Sequence, residues 1–210
     1  ASSEQSPFRE GEASEAQRLA FRHPLGDAHA RLLALGAYAA ASDKNAFCDA
    51  HGLDEGALNR MARLYDSLRR SCAKTGVFSK VAPLEDLAPG SAQTDSKLAK
   101  CLTAGGLDRV ARLAEPSQVM AAARRACAQR GDVWDPRSLN AHDRDCAYEL
   151  LGGGGFCYVH PASAAHARSR ADLSEFVVYA NVRAGMTGRR RLEDVTCIDG
   201  RWLAQLGPGF

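Results

Sequence analysis

Apolar residues change their spacing about two thirds of the way along the chain. Up to about residue 130 they recur every three or four positions, and after about residue 145 they tend to alternate with polar residues. The first spacing is typical of helices with one buried face, and the second of strands with one buried face. Helices followed by strands, rather than alternating with them, predict an α+β fold.

The clearest helical pattern follows Asp54, a good N-cap residue, and stops at Gly76. Its apolar face consists of residues spaced alternately three and four apart: Leu58, Met61, Tyr65, Leu68 and Cys72. This spacing predicts one long amphipathic helix. The same signals predict further helical segments at 28–41, 44–50, 97–104 and 119–129, with 107–113 adding a turn or two before Pro116.

The last third of the chain reads as short strands and a final helical turn. Alternation predicts four strands, at 147–151, 156–160, 174–183 and 192–198, and Asp199 caps the turn that follows. In the second strand, Cys157 and Val159 share one face, whereas Phe156 and Tyr158 share the other with His160. One of these two faces must belong to the core. The segment 140–145 is predicted to be a loop.

Composition predicts a folded protein without deciding its partner. Of 210 residues, 45% are hydrophobic and 25% are charged, which suffices for a real core. Residues 1–22 are rich in Ser, Glu and Gln, and we predict that they form a flexible segment. A net charge of +2 is too balanced to establish a nucleic-acid partner, so such a partner must be argued from local residues.

Cysteine usage points to a reducing compartment. The chain has 7 cysteines, an odd number, and no Cys-x-x-Cys pair, which fits neither a disulfide framework nor a zinc ribbon. The run from Ala1 to Gly11 is polar and acidic, and no stretch of membrane-spanning length is apolar throughout. We therefore expect an intracellular soluble protein without a membrane partner.

Several residues could belong to a metal, phosphate or catalytic site of this chain, but the sequence does not place them together. Cys157 and His160 are three apart on a strand and point to opposite faces, so with His166 they make a poor metal site, and we expect no metal. Successive glycines at 152–155 could cradle a phosphate, but they join two strands, which favours a hairpin connection. No Ser, His and carboxylate are placed together by the sequence, and we expect no catalytic residues.

Three segments in the last third resemble a known family in order and spacing. They are Tyr158-Val159-His160-Pro161-Ala162-Ser163, Phe176-Val177-Val178-Tyr179, and Glu193-Asp194-Val195-Thr196-Cys197-Ile198-Asp199-Gly200-Arg201-Trp202-Leu203. Together they resemble the C-terminal oligonucleotide/oligosaccharide-binding (OB) fold of DEAH/RHA-type RNA helicases. Earlier segments are similar to the preceding ratchet-like domain and its junction: 26–33, Phe47-Cys48 with Leu58 and Arg60, and 97–107 with Val110-Ala111.

The resemblance implies a helical ratchet-like bundle at 23–94 followed by an OB-fold β-barrel at 95–210. Two departures from the family pattern stand out. Residues 116–144 form an insertion without a counterpart in the family, and Tyr179-Ala180-Asn181 lacks the acidic residue that usually stands two places after the tyrosine. The chain resembles a divergent member.

The resemblance also implies partners and cofactors that this chain does not itself hold. No Gly-x-x-x-x-Gly-Lys-[Ser/Thr] phosphate loop occurs here, so no cofactor is expected in this chain, and ATP and Mg²⁺ belong to motor domains outside it. The expected partners are single-stranded RNA, those helicase core domains and a regulatory protein. The family includes mitochondrial RNA-editing helicases, which the chain could resemble. We therefore slightly favour the mitochondrion as the compartment, with the nucleus and the cytoplasm as alternatives.

OB folds bind single strands through aromatic side chains on a sheet face and basic residues that follow the phosphates. Lys97 and Lys100 are similar to basic positions that face the RNA exit in the family. The residues expected to bind RNA are Tyr158, His160, Tyr179, Arg189, Arg190, Arg191, Lys97 and Lys100.

Two other classes of function remain open. The modest net charge is also compatible with a protein-interaction module that docks a regulatory partner through 116–144 and does not contact RNA. A free-standing enzyme is the least favoured reading, since no phosphate loop or catalytic constellation is found in the sequence.

Overall fold

The computed structural model describes residues 7–8, 19–76, 84, 92–167, 169–185 and 189–207. The chain divides into two compact units, the first being Ala1–His23 with Ala28–Asp95 and the second Pro24–Asp27 with Ser96–Phe210. Helices come first and strands follow, so the predicted α+β class is confirmed. Most of the predicted flexible segment 1–22 lies outside the described residues.

In the part of the chain that the structure describes, the first three α-helices lie close to their predicted bounds. They are α1 (Asp27–Ala40), α2 (Lys44–His51) and α3 (Glu55–Thr75). The side chain of Asp43 accepts a hydrogen bond from the Ala46 amide at 3.0 Å, and that of Asp54 accepts one from the Ala57 amide at 2.9 Å. Gly52 and Gly76 end α2 and α3 in the left-handed conformation.

A compact apolar cluster forms the core of the first unit. Tyr38, Cys48, Leu53 and Leu58 are fully or almost fully buried in it. The hydroxyl of Tyr38 donates to the Asn59 side-chain oxygen at 3.0 Å, which satisfies the polar end of a buried ring. Only the first half of α3 contributes fully buried residues, and Leu68, predicted on its buried face, is 56% exposed.

Four further α-helices and the strands follow among the described residues. The helices are α4 (Ala92–Gly105), α5 (Pro116–Arg130), α6 (Ala141–Asp145) and α7 (Gly200–Leu206). The strands are β1 (Val110–Leu113), β2 (Tyr148–Leu150), β3 (Phe156–Val159), β4 (Phe176–Val178), β5 (Asn181–Ala184), β6 (Arg190–Glu193) and β7 (Thr196–Ile198). The side chain of Asp199 caps α7 as predicted, accepting from the Arg201 amide at 2.9 Å.

The strands form one mixed sheet with the order β5-β6-β3-β2-β1-β4-β7. All neighbouring pairs are antiparallel except β3 and β6, which run parallel with Tyr158 opposite Arg191. The predicted hairpin connection at 152–155 is confirmed, since it joins the antiparallel strands β2 and β3. In this order the sheet is open, with β5 and β7 at its edges, so the predicted closed barrel is not confirmed.

Several predicted elements need correction. Val110–Leu113 is a strand rather than a helical turn, because it pairs with both β2 and β4, and such non-local pairing overrides local helical spacing. The predicted strand 174–183 is two strands, β4 and β5. The predicted strand 192–198 breaks at Asp194, whose φ of 55° lies outside the β region. The predicted loop 140–145 contains α6.

The alternation along β3 is resolved by packing. Cys157 and Val159 face the largest apolar cluster of the second unit, together with Tyr148, Val177 and Leu192. Burial raises the pKa of the Tyr148 phenol, whose hydroxyl donates to the Ser174 carbonyl at 2.7 Å. On the opposite face of β3, Phe156 and Tyr158 pack against a small cluster to which the insertion contributes Val119. The insertion therefore covers one face of β3.

Candidate nucleic-acid interface

A cleft of about 320 Å³ opens on the second unit. Its walls come from β3, the loop after β3, the start of β6, and helix α6 of the insertion. The lining residues are His142, Asp143, Tyr158, Val159, Pro161, His166, Arg189 and Arg191. Three of the residues expected to bind RNA are therefore brought together here: Tyr158, Arg189 and Arg191. A concave site of this size with a few convergent polar groups is the usual form of a small binding site.

The arginine cluster is divided between two sides of the sheet. Arg189 directly precedes β6 and Arg191 lies within it, so alternation places these two on the same side. Arg190 does not line the cleft, and its guanidinium donates to the Phe156 carbonyl at 3.4 Å. The sequence predicted three equivalent arginines, and the strand geometry separates one of them from the other two.

Arg189 forms an ion pair with Asp143 of the insertion. The carboxylate is only 6% exposed, while the arginine side chain is 45% exposed. Asn140 holds the same carboxylate oxygen, since its amide nitrogen donates to Asp143 Oδ2 at 3.0 Å. The Asn140 side-chain oxygen also caps α6 by accepting from the Asp143 amide at 2.8 Å. Asp143 is thus a buried, fixed carboxylate, and the sequence analysis missed it.

Tyr158 forms a wall of the cleft. Its ring is partly buried against the insertion, and its hydroxyl donates to the backbone carbonyl of Asp143 at 3.1 Å. Burial raises the pKa of this phenol, so the hydroxyl is protonated at neutral pH. Tyr158 therefore fixes α6 while exposing part of its ring.

Asp27 pins the loop that carries Pro161 and His166. Its carboxylate accepts hydrogen bonds from the Ser163 hydroxyl at 2.8 Å and the Ala164 amide at 2.7 Å. It accepts a third from the Val195 amide, just after β6, at 2.8 Å. One buried acid thereby ties the loop after β3 to the chain that follows β6.

His160 lies beside the cleft rather than in its wall. Its Nδ1 accepts a hydrogen bond from the Ala162 amide at 3.2 Å. Burial, followed by the nearby charge of Arg191, lowers the pKa of His160, so the ring is neutral at pH 7. It is therefore a neutral neighbour of Arg191.

Tyr179 and the two lysines lie outside the cleft. Tyr179 is buried in the main apolar cluster, and burial raises the pKa of its phenol, so it serves as a core residue and offers no stacking surface. The expectation that it stacks on RNA is therefore corrected. Lys97 is exposed on α4, and Lys100 donates to the Gln205 side-chain oxygen at 2.9 Å. Neither lysine lines the cleft.

Two histidines complete the cleft. The rings of His142 and His166 lie 5.8 Å apart between centroids with an interplanar angle of 49°. They come from α6 and from the loop after β3, which are distant in sequence. From the sequence, His166 was considered only as a possible metal ligand. No local pattern in the sequence links it to His142.

Among the residues that the structure describes, no group of three or more His, Cys, Asp or Glu side chains is placed to hold a metal ion. None of the described helices combines the length and apolar character needed to cross a bilayer.

A scan against models of protein families finds no match to this chain, and a search of curated proteins finds no similar sequence. The helicase resemblance therefore rests on the residues quoted above.

Proposed function

We propose that this chain is an RNA-binding accessory region of a DEAH/RHA-type RNA helicase and contacts single-stranded RNA through the cleft. The observation that carries the proposal is the convergence of Arg189, Arg191 and Tyr158 on one concave site. Guanidinium groups bind phosphates, and an aromatic wall suits a base or a ribose. This function requires no catalytic step from any histidine, serine or acidic side chain in the cleft.

The path of the strands supports an OB-like barrel. Strands β4 and β5 are separated only by Tyr179 and Ala180, yet β4 pairs with β1 and β5 pairs with β6. At this junction the Tyr179 amide donates to the Arg109 carbonyl and the Ala180 amide to the Glu193 carbonyl, each at 3.1 Å. If 176–184 counts as one bent strand, the order β1-β2-β3-β6-(β5, β4) returns to β1. A five-stranded barrel of this kind is the OB architecture.

The charge distribution supports weak binding that depends on salt. The chain as a whole is nearly neutral, with a net charge of +2, so attraction to RNA must come from the cleft and its surroundings. Two arginines can make about two phosphate contacts. Contacts with phosphate imply no preference for base sequence. In the intact helicase, the motor domains outside this chain would supply ATP and Mg²⁺, and this region would support them.

The test is a titration of fluorescently labelled single-stranded RNA, followed by anisotropy, against wild type and an Arg189→Ala/Arg190→Ala/Arg191→Ala variant. We expect the variant to bind about tenfold or more weakly and to show a shallower dependence on salt. The matched control is Arg112→Ala/Arg130→Ala/Arg201→Ala, which removes the same charge from exposed arginines that do not line the cleft. Equal affinity of the two triple variants would refute the cleft as the RNA site.

A protein-docking role is the second candidate, and one feature of the insertion favours it. Val133 is 96% exposed and stands beside Trp134. A partner that packs on this valine would remove its side chain from water. Capture of a regulatory protein that is lost in Val133→Ser, by a chain that fails to bind RNA in the titration above, would favour this role over the first.

A further inference from the structure

The two arginines of the cleft are in different electrostatic states. Arg189 is engaged by the buried carboxylate of Asp143. Arg191 lines the same cleft, and its guanidinium makes no hydrogen bond or ion pair with any residue that the structure describes, although its backbone pairs within the sheet. A ligand anion entering the cleft therefore meets one available guanidinium and one that already has an anionic partner.

The Asp143 carboxylate binds the Arg189 guanidinium in the way that a phosphate would. A carboxylate oxygen and a phosphate oxygen accept the same charge-assisted hydrogen bonds from a guanidinium. The Asp143 oxygen that receives Arg189 is also held by Asn140 at 3.0 Å, so its position is defined within the insertion. Because Asp143 belongs to α6, the competing carboxylate comes from the segment that the helicase resemblance does not cover.

We infer that Asp143 occupies the phosphate position at Arg189, so that the insertion limits the affinity of the cleft for RNA. This inference rests on the proposed function, because it concerns the same cleft and the same ligand. The first phosphate of a bound strand takes Arg191, and a second contact at Arg189 forms only when the RNA displaces the carboxylate of Asp143. The insertion thereby acts as an acidic competitor built into the chain.

The charges of the cleft residues determine that loss of the Asp143 carboxylate strengthens RNA binding. Arg189, Arg191 and Asp143 sum to one positive charge, and loss of the carboxylate raises this to two. A second available guanidinium adds about one phosphate contact and its released counterion. Removing an acid elsewhere on the surface adds only a screened, distant charge effect.

The test is the variant Asp143→Asn, titrated with labelled single-stranded RNA at several salt concentrations. An asparagine retains the size of the side chain and an acceptor oxygen for Asn140 while removing the charge. We expect it to bind about tenfold more tightly at low salt and to steepen the slope of log K against log salt by about 0.7. Circular dichroism and the melting temperature establish that the variant is folded.

The matched control is Asp132→Asn. It removes the same charge within the same insertion and also breaks an arginine pair, since Asp132 lies 2.9 Å from Arg130, but Asp132 does not line the cleft. We expect it to leave the salt slope unchanged. The double variant Asp143→Asn/Arg189→Gln completes the test, because the gain of affinity should disappear when Arg189 is absent.

The possible results separate this inference from the proposed function. RNA binding by wild type with no gain in Asp143→Asn, or a gain that survives loss of Arg189, overturns the inference alone. No RNA binding by wild type or by Asp143→Asn overturns both. Binding detected only in Asp143→Asn, and lost again in the double variant, supports both, with the insertion as the element that closes the site.

Discussion

The Nε2 atom of His29 lies 3.0 Å from the backbone carbonyl oxygen of Asp95. A carbonyl only accepts, so the ring carries its proton on Nε2 and its Nδ1 is bare. Nδ1 is buried and has no hydrogen-bond partner among the described residues. The ring stacks on His23, 4.8 Å between centroids, and His23 itself lies 3.4 Å from the Asp95 carboxylate. Burial lowers the pKa of His29, and the neighbouring His23 lowers it further.

This arrangement predicts acid sensitivity. The pKa of His29 in the folded state lies below its ordinary value of 6.5, so the unfolded chain takes up the proton first as the pH falls. The stabilising contribution is fully present above pH 6.5 and is lost as the pH falls below it. We expect chemical denaturation to show a smaller loss of unfolding free energy between pH 7.5 and 5.5 for His29→Gln than for wild type.

His160 serves as the comparison for that measurement. Its pKa is lowered as well, by burial and by Arg191, so His160→Gln should also reduce the loss on acidification. If the pH dependence of unfolding is the same in wild type and in both variants, the neutral state of these rings does not contribute to stability.

Asp27 should contribute much more to the free energy of unfolding than an acidic residue that only caps the start of a helix. Asp27→Ala leaves the Val195 and Ala164 amides and the Ser163 hydroxyl without their acceptor, and we expect it to lower the unfolding free energy by about 3 kcal/mol or more. Asp43→Ala removes one exposed cap bond and should cost about 1 kcal/mol. Equal losses for the two variants in urea denaturation would contradict the role given to Asp27.

Gly26 should be the least replaceable of the described glycines. Its φ is 98°, and a Cβ there would lie 2.2 Å from the Val195 carbonyl oxygen, which accepts a hydrogen bond from the Asp27 amide at 2.8 Å. We expect Gly26→Ala to destabilise the protein by about 3 kcal/mol or more, or to prevent folding. The control is Gly76→Ala, with φ of 67° and open space around the added Cβ. It should fold and cost about 1 kcal/mol.

The thiols should differ sharply in reactivity. Cys101 is exposed, whereas Cys157 is fully buried and burial raises the pKa of its thiol. Burial raises the pKa of Cys197 to about 11, so little thiolate is present at pH 8. Brief treatment with iodoacetamide followed by mass spectrometry should label Cys101 and leave Cys157 and Cys197 unmodified. In urea all three should react, and equal labelling without urea would contradict the packing described here.

Much of the helical part was predictable because its signals are local. Asp43 with Gly52 and Asp54 with Gly76 mark the ends of α2 and α3 through hydrogen bonds and dihedral angles that involve only neighbouring residues. Strand β1 was missed because its state depends on pairing with strands that follow about 40 and 65 residues later. Its short run of apolar residues suits a helix equally well.

The candidate site was predictable only in part, for a related reason. The sequence identified Tyr158, Arg189 and Arg191 by residue type, yet it gave the same standing to Tyr179, which is a core residue. Whether an aromatic residue on a strand faces a core or a cleft depends on what packs against each face. Asp143 had no signal at all, because its partner Arg189 lies 46 positions further along the chain.

By itself, the sequence determined the α+β class, the capped ends of α2 and α3 and the alternation of faces along β3, because each of these depends on patterns among residues near one another in the chain. The tertiary structure decided which face of β3 is core, which two of three consecutive arginines share a cleft, and which acid neutralises one of them. Those choices depend on contacts between distant segments, and above all on the insertion packed against β3. Local patterns carry no information about such contacts.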